Sequence, residues 1–165
     1  MEIRQRSQKR INAASHQILF RACADGVTRL DPVSEDNFSF DVCCQQCNTL
    51  YPNQKLSKET KENKEINEFV NFYLKCEKCQ HNLRIEVLRN YLHSTAGISN
   101  NWEPLYNVDC RECFIDIVHC DAWTITSTSG KKYEWDGQKD FFDYDDEAAH
   151  PVGITDIDFY VRPLD

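Results

Sequence analysis

Cys44-Gln45-Gln46-Cys47 and Cys76-Glu77-Lys78-Cys79 are two CxxC dyads with 28 residues between Cys47 and Cys76. Two such dyads supply four thiolates, and four sulfurs at about 2.3 Å around one ion make the closed tetrahedral site that structural Zn²⁺ prefers. Energetics favour the arrangement. Closing a loop of about 30 residues costs on the order of 3 kcal/mol, while structural zinc in small peptides binds with an apparent ~10–16 kcal/mol. Four thiolates around one divalent ion keep two negative charges, which Lys75, Lys78 and nearby backbone N–H groups are placed to offset. The metal set read from the sequence is therefore Cys44, Cys47, Cys76 and Cys79, with Zn²⁺ as the cofactor.

Other uses of these thiols are weaker. A redox CxxC usually opens a helix in a βαβ unit, and neither dyad is followed by a helical pattern; buried packing thiols are the bland alternative. His81 could stand in for Cys79 only by breaking the matched dyads. Cys110-Arg111-Glu112-Cys113 is a third dyad, followed by His119 and Cys120. Parity places Cys110 with Val108 on an apolar face, which favours a buried thiol, but a second site taking a soft ion such as Cu(I), or cycling redox, would lie here. Asp143, Asp145, Asp146 and Glu147 beside His150 could form an acid/base or cation cluster, yet a solvated acidic helical turn is the commoner explanation. No Walker A, GxGxxG, GxSxG, HExxH or EF-hand pattern occurs, so no enzyme is expected.

Each dyad must be delivered by something rigid, and the surrounding residues alternate with period two. In Phe38-Ser39-Phe40-Asp41-Val42-Cys43-Cys44 the apolar parity ends on Cys44, with Cys43 on the polar side beside Asp41 and Ser39. Val70, Phe72, Leu74 and Cys76 share a parity, as do Leu83, Ile85 and Val87, and Tyr106, Val108 and Cys110. Further strands are expected over residues 16–24, 114–120, around 122–126 and over 154–161. Turn pairs Asp25-Gly26, Ser129-Gly130 and Asp136-Gly137 punctuate them. The fold expected is all-β and mostly antiparallel, a two-sheet, sandwich-like single domain stapled by a four-cysteine zinc site. Residues 56–69 read as a loop or short exposed helix, and 140–151 as a helical turn capped by Asp143 and stopped by Pro151.

The 165 residues suit one domain. Residues 1–16, basic at Arg4, Arg6, Lys9 and Arg10, read as a flexible extension, leaving 17–165 as the zinc-binding β domain. No stretch approaches the ~18 apolar residues of a membrane span, and Ile18-Leu19-Phe20 is too short for a signal peptide core. The cytoplasm, with the nucleus as the other reducing compartment, is expected, where nine cysteines mean metal ligands or buried thiols. Net charge is −8, and residues 133–165 alone carry ten acids against Lys139 and Arg162. Such a surface is a poor fit to phosphate, so no nucleic acid is expected as a partner. A monomer that binds another protein or a small ligand is the functional expectation.

Taken together, the two dyads, the stretch Val27-Thr28-Arg29-Leu30-Asp31-Pro32-Val33 and Phe141-Phe142-Asp143-Tyr144-Asp145 followed by Val152-Gly153-Ile154 resemble the eukaryotic CXXC-motif-containing zinc-binding proteins. The resemblance runs from about residue 17 to the end. It implies a small all-β protein with two antiparallel sheets and one zinc held by four cysteines, and no reaction. The chain departs from the family pattern at Phe141, where a tryptophan is usual, in residues 61–71, where a Gly/Arg/Ser-rich stretch is usual, and at Cys113.

Overall fold

The computed structural model describes residues 14–92 and 101–164. The chain forms β1 (Ala14–Asp25), β2 (Val27–Pro32), a 3₁₀ turn (Glu35–Asn37), β3 (Phe38–Cys44), β4 (Leu50–Gln54), β5 (Lys61–Asn63), β6 (Glu68–Val70) and β7 (Phe72–Lys75). It continues through β8 (Asn82–Asn90), β9 (Glu103–Arg111), β10 (Cys113–Cys120), β11 (Trp123–Ser127), β12 (Lys132–Trp135), β13 (Phe141–Asp145) and β14 (His150–Pro163). No helix among the described residues is long and apolar enough to cross a membrane.

One layer is a six-stranded sheet in the order β13-β14-β1-β9-β8-β7. The other is divided between two three-stranded sheets, β10-β3-β4 and β12-β11-β2, and β5-β6 forms a separate ribbon. The pairings are antiparallel, which bears out the expected fold class. Aromatic rings close the space between the layers. Tyr106 of β9 meets Phe38 and Phe40 of β3 edge-on at 5.6 and 6.1 Å, and Trp123 of β11 packs on Phe20 of β1 at 5.5 Å. Such pairs add a favourable quadrupole contact to the large apolar area they bury.

The three expected turn glycines, Gly26, Gly130 and Gly137, all adopt positive φ (68°, 88° and 75°). Gly26 has a further constraint, because a Cβ there would lie 2.2 Å from the Pro151 carbonyl. It lets the chain reverse from β1 into β2 against the start of β14.

Several expectations need correction. β1 begins at Ala14, inside the segment read as a flexible extension; residues 1–13 lie outside the described residues. Residues 56–69 contain no helix but the strand β5 and the start of β6. The run Phe69–Cys76 is not one strand: Asn71 divides it, its side chain donating to the Ser57 carbonyl (2.8 Å) and accepting the Val87 N–H (2.7 Å). Residues 140–151 are not helical but form β13, a tight turn and the start of β14. Their acidic appearance misled because Asp145 faces inward and is fully buried.

Polar and apolar faces also separate less cleanly on β3 than alternation implies. Asp41 and Cys43 are each only 7% exposed. Cys43 sits in the cross-strand row Phe114, Cys43, Leu50, so neighbours on both sides shield it.

Candidate metal centre

β3 and β7 both end where a dyad begins, and the two dyads fold alike. The Cys44 N–H bonds the Thr49 carbonyl (2.9 Å) and the Asn48 N–H bonds the Cys44 carbonyl (2.9 Å); in the second dyad Cys76 pairs with His81 (2.8 Å) and Gln80 with Cys76 (2.9 Å) in the same pattern. Asn48 and Gln80, each just after the second cysteine, take positive φ of 59° and 67°. That left-handed residue lets the strand curl back and turn its N–H groups toward the sulfurs. The N–H groups of Gln46 and Cys47 reach Cys44, those of Lys78 and Cys79 reach Cys76, and those of Thr49 and His81 reach Cys47 and Cys79.

The two knuckles face each other. The four sulfurs lie within 4.8 Å of one another, with Cys44 and Cys79, and Cys47 and Cys76, each 3.5 Å apart. Sulfurs at about 2.3 Å from a tetrahedral ion stand about 3.8 Å apart, so the cage fits a metal of that size. Lys75 and Lys78 are exposed, and backbone amides provide the local compensation.

Side chains complete the shell. The Tyr51 hydroxyl donates to Cys76 Sγ (3.3 Å) and accepts the Glu77 N–H (3.0 Å). Thr49 Oγ1 lies 3.0 Å from Cys47 Sγ, and His81 Nδ1 lies 3.1 Å from Cys79 Sγ. His81 therefore stands behind a cysteine and replaces none. The Tyr51 hydrogen bond brings the Cys76 thiol down to about 5, and Thr49 also lowers Cys47. The charge cannot spread to all four. Burial raises Cys44, and although the His81 N–H pulls Cys79 down, burial and the neighbouring sulfurs carry it up to about 12. Four thiolates this close ionise together only around a cation.

Three of the remaining five thiols point their hydrogens the other way. Cys43 donates to the Cys44 carbonyl (3.8 Å), Cys113 to the Arg84 carbonyl (3.6 Å) and Cys120 to the Ala122 carbonyl (3.6 Å). A sulfur that donates carries a proton, and burial pushes Cys120 up to about 12 and raises Cys43. The bond to Cys113, together with burial, raises Cys110 well above its ordinary value. His119 Nε2 pairs with Asp41 at 3.1 Å. The candidate second site thus does not assemble: among the described residues, only Cys44, Cys47, Cys76 and Cys79 converge as metal-type ligands.

The acidic segment is also accounted for. Asp145 accepts from Ser127 Oγ and Ser129 Oγ (both 2.6 Å) and from the Glu147 and Ala148 N–H groups (3.1 and 3.2 Å). Those bonds, the Ser127 one foremost, hold its carboxyl well below the usual carboxylate range. His150, its cross-strand partner, bonds Asp25 instead at 3.0 Å. No acid/base pair forms between Asp145 and His150.

Sequence reasoning overlooked Tyr51 and the buried role of Asp145. The one usable signal was the residue two places after each second cysteine, Thr49 and His81, since both carry donors in matched positions.

A model of the family described as CXXC motif containing zinc binding protein, eukaryotic, matches residues 17–162. No curated protein matches the chain. Solved structures share the fold, the following two among them. One, titled "Crystal Structure of C1orf123", has a TM-score of 0.71 at 21% identity, over 91% of this chain and 99% of that one. The other, a "Hypothetical protein from plasmodium falciparum", has a TM-score of 0.68 at 17% identity, over 92% of this chain and 99% of that one. The Asp143-Tyr144-Asp145 and Val152-Gly153-Ile154 motifs prove to lie in one hairpin, with Phe141 opposite Ile154 and Asp143 opposite Val152. With the paired knuckles and a family match spanning nearly the whole chain, this protein belongs to the eukaryotic CXXC-motif-containing zinc-binding proteins.

Proposed function

We propose that the protein is a non-catalytic zinc-binding β domain in which Cys44, Cys47, Cys76 and Cys79 hold one Zn²⁺ as a structural staple. The observation that carries this reading is the convergence of four sulfurs within 4.8 Å, each turned toward N–H donors. A bound zinc would neutralise two of the four thiolate charges and tie β3 to β7. The domain so stapled presents its surface to another protein or a small ligand, as a monomer in the cytoplasm or nucleus. None of the nine cysteines is paired in a disulfide, which suits a reducing compartment. Handling of Cu(I) or redox cycling at the third dyad has less support, because its sulfurs are buried and Cys113 donates to a carbonyl.

Native mass spectrometry of protein purified without added metal tests the reading. The expected spectrum is one chain with one zinc, released only as the charge states of unfolding appear. A metal-free folded monomer, or a second exchangeable ion lost in a variant carrying Cys110→Ser and Cys113→Ser, would overturn it.

A further inference from the structure

Tyr51 binds no metal in any tetrahedral scheme, yet it joins the two knuckles. It lies on β4, directly after the first knuckle, and both of its polar contacts are with the second: it donates to Cys76 Sγ at 3.3 Å and accepts the Glu77 N–H at 3.0 Å. Its geometry is therefore set by two atoms of the other dyad, 25 and 26 residues away. Thr49, on the same segment, faces Cys47 Sγ at 3.0 Å.

A thiolate sulfur has three lone pairs. In a mononuclear site one goes to the metal, and the others are open to hydrogen bonds. Cys76 receives the Tyr51 hydroxyl together with the Lys78 and Cys79 N–H groups, and Cys47 receives the hydroxyl and N–H of Thr49. Partners behind the ligands orient them as well as tune them.

We infer that Tyr51 is a positioning residue that sets the second knuckle against the first and tightens the centre's hold on its ion, with Thr49 as its lesser counterpart at Cys47. This rests on the four-cysteine reading above. It goes further in assigning metal retention to a side chain outside the ligand set.

Tyr51→Phe keeps the ring and removes the donor, and Thr49→Val does the same on the exposed side. In chelator competition, Tyr51→Phe should still hold one zinc but with affinity lower by about 10-fold or more, and Thr49→Val should lose less. In the Co²⁺-substituted protein, removing a donor from a thiolate makes it more electron-rich, so the thiolate-to-cobalt charge-transfer band should move to lower energy in both variants. Wild-type affinity and an unshifted band in both would overturn the inference while leaving the four-cysteine site intact. A fall in affinity with an unshifted band would reduce Tyr51 to packing and overturn it equally. Wild-type protein without any metal would instead defeat the underlying reading, so the two failures are distinguishable.

Discussion

The chain contains the same four-residue motif three times, and the structure puts it to two uses. At Cys44–Cys47 and Cys76–Cys79 the dyad begins at the last residues of a strand and runs into an open turn, where six N–H groups turn toward the sulfurs. At Cys110–Cys113 it spans the junction of β9 and β10, with Glu112 at φ 58° carrying the chain from the six-stranded sheet into the opposite layer. Both cysteines there end inside the core, at 1% and 4% exposure, and Cys113 donates its proton to a carbonyl. CxxC spacing alone does not make a ligand pair. The dyads differ in whether the backbone offers the sulfur donors, which favour a thiolate, or acceptors, which retain the thiol.

The largest effect that would sharpen this contrast is loss of a ligand. Cys44→Ser and Cys76→Ser should each abolish zinc binding and lower the melting temperature by more than about 10 °C, read by elemental analysis and thermal melting on the same samples. At the third dyad, Cys110→Ala combined with Cys113→Ala should keep one zinc and cost only the small cavities it leaves, about 1–3 kcal/mol in chemical denaturation. A loss of zinc in that variant would dissolve the distinction between the dyads. Alkylation of the zinc-loaded native protein offers a milder probe: exposed Cys23 should label first, and Cys110, Cys113 and Cys120 only after unfolding.

Another staple, far along the chain from the dyads, needs no metal. Asp145 gathers Ser127, Ser129 and the turn after β13, with its carboxyl held below the ordinary carboxylate value. A depressed pKa contributes stability that is full above the unfolded value of ~3.9 and is lost as pH falls through it toward the folded value. Between pH 6 and 3 the wild type should therefore lose more thermal stability than Asp145→Asn, whose contribution does not titrate. Parallel curves for the two proteins would mean that the Asp145 network adds nothing.

Much of the centre was legible because its information is local. Dyad spacing, the parity ending on Cys44 and the glycines at reversals are properties of a few consecutive residues. Strict alternation is broken where a bulge intervenes in β10. The register slips between Ile115 and Ile117, which turns Ile117 outward to 49% exposure. β5 and β6 are three residues each, too short to show a period. Asp145 was unreadable for another reason: its neighbours Asp143, Asp146 and Glu147 suggest solvent, and the serines that bury it lie 18 and 16 residues upstream. Tyr51 escaped notice likewise, since its role depends on two chain segments meeting.

The most direct test compares two adjacent residues. Cys43 and Cys44 differ by one step along β3, yet one donates to a carbonyl and the other faces the cage. Zinc content of Cys43→Ser and Cys44→Ser, purified without added metal and measured per chain, should be one equivalent for the first and none for the second. Full retention of zinc by Cys44→Ser would contradict the account.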